Sequence, residues 1–479
     1  MTCEPLQQIV PNDPSWHLLC GPLRIGIGGP LPIGTMAHFR PVRPARFIGI
    51  RNLINASPLS RLQYLVIGMC FAIVAVDGFD TAVIGFVAPK IAAEWQLHPE
   101  SLAALFGAAL FGSILGSAIF GPICDLIGRT RTLIIATLLF GILTVAAGLS
   151  HTLTQLIVLR FLAGIGLGGV LPCAIALTSE FVPEGRRSAL VNAMFCGFTL
   201  GAATSGFLAA WLIPAFGWRM VFLAGGCVPI LLAAIAFIVL PESLNFLASK
   251  TGRQAEMRKV VAQIAGNTVG PNWVPTPETA SKGTPATELF AARPLAGTLL
   301  LWLSAFCGLM SIYLLNSWMP LLLTKQGYTI SAASIIGAMF QVGGTLGAIF
   351  LGILMDRRKP NRVIAVASLL AGFFLFAIGW VSGQPVLLGM ALFCAGVCIP
   401  GAQVGSSAYA ASWYPTRVRA TGISWMSGMG RIGSFIGSVG GGVLVSLGLG
   451  IGGILGFLAI PMTVVAIAMA AHERIRLKD

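Results

Sequence analysis

The sequence predicts an all-α membrane protein: twelve transmembrane helices in two pseudo-symmetric six-helix bundles. Three observations predict it. Over 479 residues, hydrophobic side chains make up 56% and charged ones 10%, too little charge for a water-facing surface. The apolar residues gather in blocks of roughly 20, the length that crosses a bilayer. Polar motifs of the first half return in the second at a near-constant offset.

The apolar blocks, in order, have cores at 62–86, 101–121, 132–149, 153–178, 188–213, 219–240, 296–321, 331–354, 363–381, 386–411, 420–446 and 451–471. Those at 101–121 and 331–354 are rich in Gly, Ala and Ser but carry no internal charge. An even number of spans puts both termini on one side. All 30 Lys and Arg residues fall on that side except Lys90, Arg219 and Lys325 in the opposite loops and Arg160 and Arg431 within spans. The positive-inside rule makes that side the cytoplasm. The expectation is a multi-pass protein of the plasma (inner) membrane, a monomer with the lipid bilayer as its surroundings. Topology accounts for the net charge of +14, so nucleic acid is not an expected partner. The ten cysteines are scattered, with no CxxC, disulfide framework or Cys/His cluster of metal spacing.

Residues 1–60 read as a cytoplasmic, mostly disordered tail: "RIGIGGPLPIG" is too short and too Gly/Pro-rich for a signal peptide. Residues 61–241 form the first bundle and 296–471 the second, with a short cytoplasmic tail at 472–479. The polar stretch 242–295 between them holds "TGRQAEMRKVVAQIAGN", whose apolar spacing predicts a surface helix. It is followed by a Pro- and Thr-rich linker. The repeat joins the halves. Gly121 and Asp125 of "GPICDLIGRTR" align with Gly352 and Asp356 of "GILMDRRKPNR" at an offset of 231; Pro183 and Arg187 align with Pro415 and Arg419 at 232. A parallel repeat of this kind places a substrate site between the halves near the bilayer midplane.

These motifs resemble the major facilitator superfamily. Its signature Gly-x-x-x-Asp-x-x-Gly-Arg is met by Gly121, Asp125, Gly128 and Arg129, and "RFLAGIGLGG" (160–169) and "PESLNFL" (241–247) resemble its span-four and span-six patterns. A finer likeness is to the aromatic acid:proton symporters. It is carried by "SPLSRLQYLVIGMCF", "DGFDTAVIGFVAPKIAAEW", "YLLNSWMPLLLTKQGY" and "GMGRIGSFIGS". The resemblance implies import of a small aromatic carboxylate, of benzoate or hydroxybenzoate type, together with protons by alternating access.

Asp77 and Asp80 lie three apart on one helix face inside span one. A charged Asp at the bilayer centre costs about 2.5–3.5 kcal/mol, so both should face the interior. Two close carboxylates in low dielectric resist joint ionisation, so one of them can carry a proton. Proton coupling is therefore expected at this pair, with a structural role beside Gly78 as the alternative and no separate role assigned to either acid. Arg160 and Arg431 each need an anionic or carbonyl partner. Arg431, about eleven residues into its span, suits a substrate carboxylate. Arg160 resembles the superfamily's span-four arginine, linked with proton handling; the alternative is a structural pair with a carboxylate. An aromatic substrate needs an apolar slot with a few polar groups. Phe79, Tyr313, Asn316, Trp318, Gln341 and Trp425 are the candidates, although Trp318 also suits an interface belt.

The resemblance further implies a cytoplasmic gate. Asp125 would pair with a helix N-terminus and Arg129, Gly121 would let helices approach closely, and Glu180 and Arg187 would extend the network. Asp356, Arg357 and Arg358 form its second copy. "GIGLGG", "GGTLG" and "SVGGGV" read as helix-packing glycines rather than a nucleotide loop. No GK[ST], Ser/His/Asp or metal-hydrolase pattern is present, so neither a cofactor nor an enzyme activity is expected. His17, His38, His98, His151 and His472 read as tail or loop residues.

No PET-type ending follows span twelve, as sugar porters have, and span five lacks the GPxxGG of drug exporters. A transporter of another organic anion or a sugar, an exporter, or a ligand-binding receptor of the same fold are the competing readings. Met36 is a candidate start. A chain beginning there is expected to insert and take up substrate like the longer one, and loss of uptake would argue against it.

Overall fold

Helix termini are set where the sequence supplies caps. Ser60 and Gln63 form a reciprocal capping box at the start of the first long helix, with Ser60 N donating to Gln63 Oε1 at 2.7 Å. Gln63 also donates to Phe181 O at 2.5 Å, tying the start of span one to the end of span four. Thr152 and Thr329 cap two further spans by accepting from Gln155 N and Ala332 N. The structure, a computed structural model, describes residues 53–55, 57–250, 252–265, 289, 295–381, 383–415 and 418–476.

Among the described residues, twelve long α-helices, two short ones and a 3-10 turn at Glu184–Arg186 follow in order. The first bundle holds α1 (Arg61–Glu94), α2 (Pro99–Ile127), α3 (Arg129–Gly148), α4 (Leu153–Phe181), α5 (Arg187–Phe216) and α6 (Trp218–Val239). The short α7 (Leu244–Ser249) and α8 (Gln254–Ala265) come next. The second bundle holds α9 (Leu295–Lys325), α10 (Ile330–Arg357), α11 (Pro360–Val381), α12 (Pro385–Trp413), α13 (Arg419–Ser446) and α14 (Ile451–Arg476). Eleven of the long helices are long and apolar enough to cross a membrane. The twelfth, α13, has the length but is diluted by Gly, Ser and Arg431.

The surface helix expected after span six is α8, which buries Met257, Val260, Val261 and Ile264. Its Pro- and Thr-rich successor lies outside the described residues, as does the tail up to residue 52. Of the supposedly disordered segment, Leu53, Ile54 and Asn55 are helical; Ile54 is buried, and Asn55 Oδ1 accepts from Glu184 N at 2.9 Å. Nor is 472–479 wholly a tail. The helix α14 runs to Arg476, and His472 is buried with Nδ1 3.0 Å from the Tyr409 hydroxyl and its ring against Trp413.

The repeat read from the motifs is a repeat of packing. The pairs α1–α5, α2–α4 and α3–α6 of the first bundle correspond to α9–α13, α10–α12 and α11–α14 of the second. Glycines four apart line these seams. Gly112 and Gly116 lie on the carbonyls of Phe161 and Ile165; Gly343 and Gly347 lie on those of Phe393 and Val397 in the second bundle. Gly197 with Gly201, and Gly433 with Gly437, do the same for α1–α5 and α9–α13. In hydrocarbon the hydrophobic effect does not drive helices together, so close backbone approach must supply the attraction, and any side chain at these positions would remove it.

The halves meet along α5–α10, α2–α13 and α1–α9. Ser331 Oγ donates to Ala210 O at 2.8 Å, Thr345 Oγ1 to Thr199 Oγ1 at 2.7 Å and Arg431 Nη1 to Ser113 O at 3.2 Å. Gly85 rests on the carbonyl of Asn316. These contacts lie at the middle of the spans or in the half remote from the polar segment between α6 and α9. Toward the other end, Ser424 and Ser427, on the stripe of α13 that carries Arg431, are exposed.

A methyl at Gly164 would meet the backbone of Ala109, whereas Gly121 is exposed with open space around it. Gly164→Ala is therefore expected to lower the thermal midpoint of detergent-purified protein, with an overpacking cost of about 1–3 kcal/mol. Gly121→Ala should leave the midpoint unchanged or raise it slightly. Equal effects would contradict the seam.

Candidate functional site

Two acids three residues apart on α1 receive different partners. Asp80 and Arg160 are fully buried and form an ion pair, Arg160 Nη1 donating to Asp80 Oδ1 at 2.9 Å. Arg160 Nη2 also donates to the Asp80 carbonyl at 3.0 Å, and Thr144 of α3 donates to Oδ1 at 2.7 Å. The guanidinium lies over the Phe222 ring of α6, 5.6 Å from its centroid. Four helices of one bundle thus enclose a single neutral unit. A buried pair of this kind is tolerated because each charge is met by the other, although Asp80 Oδ2 and Arg160 Nε have no hydrogen-bond partner among the described residues.

Asp77 is also buried but has no ion pair among the described residues, and its Oδ2 has no hydrogen-bond partner. Besides Asp80, the charge within its electrostatic reach is Arg431 of α13, in the other half; Tyr313 of α9 lies within reach of both. Arg431 is partly buried. Its one described hydrogen bond goes to the Ser113 carbonyl of α2, which leaves most of its donors unused. One turn from Tyr313 on α9, Asn316 accepts at Oδ1 from Gln341 Nε2 of α10 at 2.8 Å. The Gln341 carbonyl in turn accepts from Thr345, which bonds Thr199 across the halves. Arg431 and Tyr313 of the second bundle thus lie within electrostatic reach of Asp77, and the Asn316–Gln341 pair sits one turn further along α9.

Three of the expected slot residues lie elsewhere. Phe79 is two residues, about 200°, round α1 from Asp77, and its ring covers Gly225 of α6 inside the first bundle. Trp318 is neither in an interface belt nor lining an open slot. It is fully buried, donates to Ser438 O at 2.7 Å, packs edge-on to Phe106 and sits under Gly441. Trp425 shares the exposed stripe of Ile432, Ile436 and Val443 and stacks on Trp302 at 5.6 Å, so its helix turns it outward.

The gate residues are also rearranged. Asp125 is 76% exposed, and its one ion pair is with Arg129 four residues on, at 3.3 Å. The carboxylate at the helix N-terminus is instead that of Glu242, which accepts from Thr130 N at 3.0 Å and Ser243 N at 2.9 Å. Gly128, at φ 110°, has its missing side chain's space filled by that carboxylate. Arg129 reaches Glu180 at 3.4 Å, and Ser243 Oγ bonds Glu180, so Glu180 does belong to the cluster. Arg187 opens α5 at the surface. Gly121 makes no close approach. In the second copy, Asp356, Arg357 and Arg358 are exposed; the ion pairs there run from Lys359 and Arg362 to Glu473 at 3.2 and 2.9 Å. Thr144 and Glu242 had escaped notice. The "PES" motif points to Glu242, whereas nothing in the sequence distinguishes Thr144 from other span threonines.

Removing one member of a buried ion pair costs about 3–5 kcal/mol because the other charge is left alone. Asp80→Asn and Arg160→Gln should each lower the thermal midpoint by more than the double variant does. Additive losses would mean that the two groups are not coupled.

Comparisons with known proteins give the family and the fold. The model of the Major Facilitator Superfamily matches residues 70–406 and 301–476. The 4-hydroxybenzoate transporter PcaK of Acinetobacter baylyi is 43% identical over 422 residues, 87% of this chain and 92% of its own. A gallate transporter of Pseudomonas putida is 40% identical, covering 90% and 96%, and a benzoate transport protein of A. baylyi is 33% identical, covering 85% and 88%. Among solved structures, a D-xylose-proton symporter superimposes with a TM-score of 0.66 at 17% identity, over 85% of this chain and 97% of its own, a likeness of fold alone. The chain belongs to the major facilitator superfamily and, within it, to the aromatic acid transporters.

Proposed function

We propose that this protein imports a benzoate- or hydroxybenzoate-type acid with a proton, by alternating access across an inner membrane. The observation that carries the reading is a buried Asp77 with an unpartnered oxygen in one half and an Arg431 that reaches the Ser113 carbonyl from the other, neither held in a direct ion pair among the described residues. In the empty site the two charges balance through space. A substrate carboxylate binds the guanidinium in a bidentate fashion. Two anions then face one cation in low dielectric, which is unfavourable, and Asp77 takes a proton. The loaded site is neutral overall and can cross the membrane's low-dielectric zone as the halves rock; the empty site is neutral too. A site holding substrate without the proton carries an uncompensated charge and is held back. Asp80 and Arg160 stay paired throughout and keep α1 in place.

Tyr313 and the Asn316–Gln341 pair supply the polar contacts to the ring's substituents. After Gln341 donates to Asn316, the pair still offers a carbonyl acceptor and an amide donor, as a phenolic hydroxyl requires. The exposure of Ser424 and Ser427, together with the positive-inside rule, supports a path to Arg431 from the cytoplasmic end. The 33–43% identity to transporters named for 4-hydroxybenzoate, gallate and benzoate supports the substrate class.

Proteoliposomes with an alkaline interior should accumulate labelled 4-hydroxybenzoate, and a protonophore should abolish accumulation. Accumulation that ignores the protonophore would defeat proton coupling. Asp77→Asn is expected to lose gradient-driven uptake while retaining exchange of substrate for substrate; normal accumulation would remove Asp77 from the mechanism. Arg431→Ala should raise KM strongly or stop transport. In Gln341→Leu the KM for 4-hydroxybenzoate should rise about tenfold more than that for benzoate, the effect of one lost hydrogen bond. An equal rise for both would assign Gln341 to packing.

A further inference from the structure

Between α10 and α11, at the end of the second bundle nearer the polar inter-half segment, lies a groove of about 1120 Å³ floored by Val397 and Cys398 of α12. Its outer walls are Phe350 of α10 and Val366 and Leu370 of α11, all strongly exposed on spanning helices and so turned to hydrocarbon. Its mouth is cationic on balance, Arg357, Arg358, Lys359 and Arg362 outnumbering Asp356 and Glu473. Arg357 and Arg358 line it and make no ion pair among the described residues, whereas Lys359 and Arg362 share Glu473. Asn361, also in the lining, is buried, and its Oδ1 has no hydrogen-bond partner.

The first bundle shows what is unusual here. At the repeat offset of 231, Asn361 corresponds to Thr130 and Glu473 to Glu242. Thr130 is satisfied, its hydroxyl by Pro241 O at 2.7 Å and its N–H by Glu242. In the second bundle the glutamate is drawn aside to Lys359 and Arg362, the Asn361 carbonyl oxygen beneath has no donor, and Arg357 and Arg358 make no ion pair among the described residues. The two guanidiniums ask for an anion, and the Asn361 oxygen asks for a hydroxyl donor beside it. Because the walls continue as apolar surface into the membrane, the anion must carry hydrocarbon chains.

We propose that this groove binds an anionic phospholipid, its phosphate between Arg357 and Arg358, a headgroup hydroxyl donating to Asn361 Oδ1 and an acyl chain along Phe350, Val366 and Leu370. Basic pockets between spans on the cytoplasmic side select anionic headgroups by charge, and each nearby cation adds attraction. The bound lipid would brace the α10–α11 connection, which Glu473 ties to the end of α14.

Native mass spectrometry of the full chain in detergent tests this, with phosphatidylglycerol, phosphatidylcholine and inorganic phosphate as probes. The unaltered chain should retain phosphatidylglycerol at least about fivefold over phosphatidylcholine, one cation's attraction being worth about that much. Arg357→Gln with Arg358→Gln should erase the preference, and Arg357→Lys with Arg358→Lys should keep it. Leu370→Trp, which fills the groove without changing charge, should also lose phosphatidylglycerol. Equal retention of the two lipids, undiminished retention in the Gln and Trp variants, or full displacement by inorganic phosphate would each overturn the proposal.

Discussion

Asp80 and Arg160 have no exposed surface, and among the described residues each is the other's ion-pair partner, joining α1 to α4. A lone ion in that medium would cost several kilocalories per mole, so the two must stay together. That constraint fixes the rotation of α1 about its own axis. With Asp80 committed to α4, Asp77, one turn earlier and about 60° round the helix, is the acid left without an ion pair among the described residues. The division of the acids into one paired and one unpaired is thus a geometric consequence of a single salt bridge, and it leaves a protonatable group opposite an underused guanidinium.

The glycine seams make such precise placement possible. Where Gly112, Gly116, Gly343 and Gly347 rest on facing carbonyls, helices inside a bundle cannot slide without collision. Between the bundles the contacts are fewer and of another kind: hydroxyl to hydroxyl, hydroxyl to carbonyl, one guanidinium to a carbonyl. Rigid halves with an exchangeable polar seam suit the rocking motion proposed above, since the seam can part without creating a cavity in a packed core.

The fold was legible in the sequence because hydropathy, charge placement and the repeat are one-dimensional signals. Every apolar block is a helix, and α13 shows why a span can fall below simple apolarity: the residues that dilute it, Gly433, Gly437 and Arg431, pack against α9 and face the site. The charged members of the site were legible for the same reason, a titratable residue in hydrocarbon being conspicuous. Aromatic residues were not. Phe79, Trp318 and Trp425 differ in outcome through the facing of a helix and the size of a neighbour, such as Gly225 or Gly441, which spacing alone does not convey. The gate misled in another way. The signature acid Asp125 drew attention, while the helix N-terminus was taken by Glu242, more than a hundred residues away.

The central claim is that Asp77, and not the paired Asp80, exchanges the proton. Infrared difference spectra on addition of 4-hydroxybenzoate report it directly, through the carbonyl stretch of a protonated carboxyl. The account predicts a band that appears with substrate in the unaltered protein and is missing in Asp77→Asn. The same band surviving unchanged in Asp77→Asn would contradict it.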